Sequence, residues 1–79
     1  MDCMNATIVD PASRSASSWS ATLASLKSRG APDTDARVIE ARQGLAFHRV
    51  ARAVERERGQ LSRAGAERLR SAISEAVTS

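Results

Sequence analysis

The chain is poor in the residue types from which most small functional sites are built. It has one cysteine, Cys3, so no disulfide can form within it and no cysteine-based zinc site can be assembled. His48 is the only histidine, and a lone imidazole without a second ligand of its kind is expected at the surface. Tyrosine is absent, and Trp19 and Phe47 are the only aromatics, which leaves little for stacking on bases. No apolar run approaches the roughly eighteen residues of a membrane span. The first ten residues carry neither a basic stretch nor a long apolar segment, so no secretory signal is expected and the chain is read as cytoplasmic. Gly30, Gly44, Gly59 and Gly65 are scattered and form no phosphate-binding loop. Serine is plentiful but has no nucleophile-elbow or triad context. Glu67 and Glu75 lie two turns apart, too isolated for paired acid–base work. The expectation is a protein that is not an enzyme and uses no cofactor or metal.

What is present is alanine, arginine and helical periodicity. The chain has 79 residues, of which 42% are hydrophobic and 27% charged, a balance that favours folding over disorder. Yet fifteen of the hydrophobic residues are alanines. Only fifteen large apolar side chains, with Met1 and Met4, remain to build a core. Chains with so thin a core gain stability by self-association or by binding a partner.

Charge is uneven. Residues 1–40 carry four basic and five acidic side chains, whereas residues 41–79 carry eight arginines and four glutamates. Lys27 is the only lysine among the twelve basic residues. Arginine in this excess reads either as the composition of a GC-rich source or as a preference for anionic and planar partners.

The pattern predicts an all-α fold of three helices, at about residues 11–29, 34–58 and 63–77, with a flexible tail over residues 1–9. Residues 10–79 read as a single helical domain. Asp10-Pro11 is a helix start, and Ala16, Trp19, Leu23 and Leu26 fall on one helical face. The four serines from Ser13 to Ser18 weaken the first turns, so the helix is expected to be firm only from about Ser17. Trp19 is expected to anchor the first helix on the second. Arg29-Gly30 followed by Pro32 is a stop. Asp33 is the expected cap of the second helix, with Asp35 favouring its positive end. That helix runs to about Arg58, stopped by Gly59, and Gly44 inside it marks close approach of another helix. Ser62 caps the third helix, and Leu61 before it is placed to staple the first turn. Ala66, Leu69, Ile73, Ala76 and Val77 share a face of that helix. Short turns make the neighbours of the long central helix antiparallel to it.

On a wheel of the central helix, Ile39, Ala46, Val50, Ala53 and Val54 cluster, with Phe47 at their margin, and this arc is the expected core seam. Val38 and Leu45 fall on the other side, among Arg42, Arg49, Arg52 and Arg56. These four arginines occupy about 80° of arc over roughly 20 Å. The stripe has three readings. It is a solvated face whose long side chains cover Val38 and Leu45, a surface for an acidic protein or a second copy, or a face that tracks phosphates.

From Leu23 onward the chain resembles a family of small, mostly uncharacterised helical proteins of actinobacteria, encoded near prophage and integrated-plasmid genes. The residues that carry the resemblance are Asp33 to Asp35, Ala41-Arg42, Leu45, Arg49-Val50, Val54, Leu61-Ser62 and Arg68-Leu69. The family pattern has an aromatic near Ala53 and prolines near Gln60 and Arg63, which this chain lacks. The resemblance implies no catalytic residue. It implies an accessory role in a mobile element, as a regulator or inhibitor. The expected function is a helical interaction module that binds a protein partner or itself. Val38, Leu45 and the four arginines are its candidate contact residues. The alternative is a small DNA-binding regulator that uses the same arginines.

Overall fold

The computed structural model describes residues 10–78, and the expected flexible tail at residues 1–9 lies outside them. Three α-helices follow a short 3-10 turn at Pro11–Ser13: α1 at Ala16–Ser28, α2 at Ala36–Arg56 and α3 at Arg63–Thr78. There is no strand among the described residues, and no helix among them is long and apolar enough to cross a membrane.

Capping side chains set the boundaries. Asp10 does start a helical segment, but only the 3-10 turn, which its carboxylate caps by accepting from the Ala12 amide at 2.9 Å. The chain is extended at Arg14 and Ser15. The Ser15 hydroxyl then accepts from the Ser18 amide at 3.1 Å and opens α1. The first α-helix therefore starts five residues later than the proline signal alone predicts, because the Ser-rich stretch supplies a second cap at Ser15, in line with the expectation of a firm helix only from about Ser17. α1 ends in a Schellman turn. The Ala31 amide donates to the Leu26 carbonyl and the Gly30 amide to the Lys27 carbonyl, both at 3.0 Å. Gly30 closes that turn at φ 83°, where a side chain would be strained.

Asp35, not Asp33, caps α2: its carboxylate accepts from the Arg37 amide at 2.8 Å and from the Arg37 guanidinium. Asp33 instead ties the turn to both helices, pairing with Lys27 at 2.7 Å and Arg42 at 3.1 Å. Ser62 caps α3 as expected, accepting from the Gly65 amide at 3.0 Å. Between α2 and α3 the chain turns through Gly59 at φ 84°.

α1 runs antiparallel to α2. Arg14 meets His48 at one end and Trp19 meets Gly44 in the middle. At the other end Ser25, Leu26 and Arg29 share a cleft with Arg37 and Glu40. The core is small: Trp19, Leu26, Val38 and Ala41 are the buried apolar side chains among the described residues. The Trp19 ring lies flat against Gly44, which confirms the close approach read from that glycine. Its indole N–H donates to the Pro11 carbonyl at 2.9 Å, and the Arg14 guanidinium covers the ring at 4.4 Å from its centre. Arg14 is held there by the Ser18 hydroxyl at 2.9 Å and by Thr22.

The core seam of α2 is the reverse of the expected one. Val38 is fully buried and Leu45 half-buried under α1, while Ile39, Phe47, Val50 and Val54 face outward. The reason is steric. Trp19 is too large to seat on the bulky Ile39–Val54 arc and fits the shallow arc made by Val38, Ala41 and Gly44. Nor does α3 lie back along α2 as the short turn predicted: its backbone makes no close approach to α1 or α2.

Two predictions follow from these contacts. A Cβ at Gly44 would overlap the Trp19 ring atoms. Gly44→Ala should therefore destabilise the chain by about 1–2 kcal/mol despite its better helix propensity, and be neutral or stabilising in a Trp19→Leu background. Urea unfolding of the four proteins checks this. The second concerns the Asp35 cap. Hydrogen bonds from Arg37 hold its carboxyl down at about 2, against an ordinary 3.8. A depressed carboxyl stabilises the fold above its ordinary value, and that contribution disappears as pH falls toward 2. Asp35→Ala should lower Tm at pH 7, and the difference from the parent should shrink between about pH 4 and pH 2.

Candidate interaction surface

The residues singled out by sequence separate into two groups. Val38 lies in the core under α1, so it is not a contact residue, and Leu45 is half-buried beside it. Arg42, Arg49, Arg52 and Arg56 are all exposed. Arg42 is anchored to Asp33. Among the described residues no carboxylate pairs with Arg49, Arg52 or Arg56, while Glu55 pairs with Arg58 at 3.0 Å. The four arginines border the face that carries α1, and the last three lie beyond His48, the residue that meets the start of α1. Arg56 stands in the last turn of α2, where the helix dipole favours a cation.

His48 is also not where sequence placed it. It is half-buried, and its Nε2–H donates to the Arg14 carbonyl at 2.7 Å. A carbonyl only accepts, so the tautomer is fixed by its partner. Phe47 packs edge-on to the ring at 5.0 Å between centres. His48 thus ties the start of α1 to the middle of α2. No group of residues with metal-binding composition occurs among the described residues.

The larger feature is apolar. Ile39, Phe47, Val50 and Val54 form an exposed stripe on α2 away from the Val38–Ala41 arc, with Ile39 also bordering the cleft that Pro11 and Trp19 line, and Leu61 continues it at the elbow. On α3, Leu69, Ile73 and Val77 recur at helical spacing, with Ala66 and Ala76 beside them. These eight large side chains are between 39% and 78% exposed. Val54, Leu61, Ala66, Leu69 and Ile73 together line an apolar notch of about 280 Å³ in the angle between the two helices. Arg70 closes its edge. Half-exposed side chains of this size leave on the order of 90 Å² each, so the surface amounts to roughly 700 Å². Summed over the two helices, that total is large beside the roughly 300–600 Å² of a single apolar patch on an ordinary monomer.

Sequence reading found these residues but placed the α2 set in the core. The signal that separates the two arcs was present in Gly44. A tryptophan on α1 needs a small residue opposite it, and Ala41 and Gly44 lie on the Val38 side. The exposure of α3 had no comparable signal, because an amphipathic helix looks the same whether its partner is in its own chain or in another. Comparison with protein-family models, with curated proteins and with solved structures finds no match for the chain.

α3 has sixteen residues, and among the described residues its backbone makes no close approach to α1 or α2, while Val54 and Leu61 meet it only at the elbow notch. A helix of that length is marginal in water without tertiary support. In dilute solution its backbone amides should exchange with solvent at least tenfold faster than those of Trp19–Leu26 and Val38–His48. Hydrogen–deuterium exchange read by mass spectrometry checks this, and equal protection of all three helices would contradict it.

Proposed function

We propose that this chain is a non-enzymatic interaction module that binds a protein through the apolar face running from the distal half of α2 across the elbow to α3. The observation that carries the reading is the apolar side of α3, which nothing in the described chain covers. Amphipathic helices bind by laying such a face against a complementary groove or helix, with anchors at i, i+4 and i+8. Leu69, Ile73 and Val77 have that spacing, and Val50, Val54 and Leu61 extend it. Arg63 and Arg70 edge the face and give it a basic rim. A regulatory, inhibitory or accessory role in a mobile element, which the family resemblance implies, is served by a module of this kind.

The second reading, a DNA-binding regulator, is favoured by one observation: Arg49, Arg52 and Arg56 project together and have no carboxylate partner among the described residues. Against it stand a net charge of only +3 and the scarcity of aromatics.

The two readings separate cleanly. A photo-crosslinking residue at Val50 or Leu69 should yield polypeptide adducts in the cells that make the protein, and the same residue at Ser71, on the far side of α3, should yield none. No adduct from either apolar position contradicts the protein-binding reading. The DNA reading instead requires duplex binding that weakens steeply with salt and is lost in an Arg49→Ala, Arg52→Ala, Arg56→Ala variant. An absence of binding at low salt removes it.

A further inference from the structure

Resting on the protein-binding reading, we infer that the partner is a second copy of this chain, and that two copies exchange α3 so that each α3 covers the α2 stripe of the other. Three observations point to this occupant. The first is a match of length. The stripe from Ile39 to Val54 covers about 22 Å, and the sixteen residues of α3 make a helix of about 24 Å. The chain therefore carries one apolar stripe and one apolar helix of the size that covers it.

The second is the elbow. Glu57 to Ser62 hold α3 away from its own α2, with Gly59 at φ 84° and the Gln60 amide donating to the Glu57 carbonyl at 2.9 Å. An element that has its complement in the same sequence, but stands clear of it in the same chain, can reach that complement in a second copy. Exchange of an identical element is a low-cost route to a closed two-fold dimer.

The third is area. A two-fold contact uses each face twice. The roughly 700 Å² left open per chain becomes about 1,400 Å² in the pair, within the 1,200–2,000 Å² of a stable specific interface. Small residues border both faces, Ala46 and Ala53 on α2 and Gly65 and Ala72 on α3, so the helices can approach closely. The arginine stripe stays outside the contact, because it lies toward the α1 side of α2.

The test mixes two single-cysteine proteins of different length, both carrying Cys3→Ser. One carries Val50→Cys and the other Leu69→Cys. After joint refolding and mild oxidation, the expected product is the mixed disulfide between the two species, with a dimer mass for the parent in solution. Ile73→Glu should weaken that dimer at least tenfold in Kd while leaving α1 and α2 folded by circular dichroism. Dimers joined mainly Leu69-position to Leu69-position would overturn the exchange. A parent that stays monomeric up to millimolar concentration yet binds an apolar dye would overturn the second copy as partner and leave the protein-binding reading standing. A monomer that binds no dye, and that forms an internal disulfide when both cysteines are in one chain, would overturn both.

Discussion

The seating of the Trp19 ring on Gly44 is the contact on which the rest of the structure depends. It holds α1 against one arc of α2 and thereby decides which arc is left over. Because the ring is large and its indole N–H is fixed by the Pro11 carbonyl, α1 has little freedom to slide or roll. Arg14 and His48 reinforce the same choice, the first by covering the ring and the second by bonding the Arg14 carbonyl across to α2. The arc that receives α1 is the poorer one in apolar bulk. Val38, Ala41 and Gly44 are small or short, and they fit a tryptophan for that reason.

The consequence is a helix with two apolar sides, only one of which is used among the described residues. A small domain normally folds so that its best apolar face is inside. Here Ile39, Phe47, Val50 and Val54, the larger residues, face outward, and α3 adds Leu69, Ile73 and Val77 to the exposed set. With four buried apolar side chains among the described residues, the α1–α2 pair alone has little to hold it together. On the proposed reading, the surplus on α2 and α3 is the half of a core that a binding partner completes. On the proposed protein-binding reading, the arginines are the solvated border beside the face that the partner covers.

Much of this was legible in the residues. The three helices follow from periodicity, from Gly30 and Gly59, and from capping by Ser62. The pairing of Trp19 with α2 and the meaning of Gly44 follow from side-chain volume. Other points were not legible, for identifiable physical reasons. Asp10-Pro11 starts only the 3-10 turn, because Asp10 and Ser15 are both good caps and only three-dimensional packing chooses between them, whereas the weak helix formers from Ser13 to Ser18 place the firm helix from about Ser17, close to its start at Ala16. Asp33 and Asp35 were interchanged for the same reason, since capping and ion pairing compete for the same carboxylates. The seam of α2 was inverted because apolar bulk was weighed above fit to the tryptophan. By bulk alone, Val38 consequently reads as a contact residue and the stripe that remains open reads as core.

The central claim is that a single chain does not cover its own α2 stripe with its own α3. The most direct measurement is the distance within one chain between spin labels on Gln43 and Ser74, recorded with the labelled protein diluted into an excess of unlabelled chain. If α3 folded back along its own α2, the helix axes would lie 8–10 Å apart. The account predicts a distance well beyond that packing range, unchanged by further dilution. A distribution centred near contact would contradict it, because α3 would then be the missing third helix of an ordinary bundle.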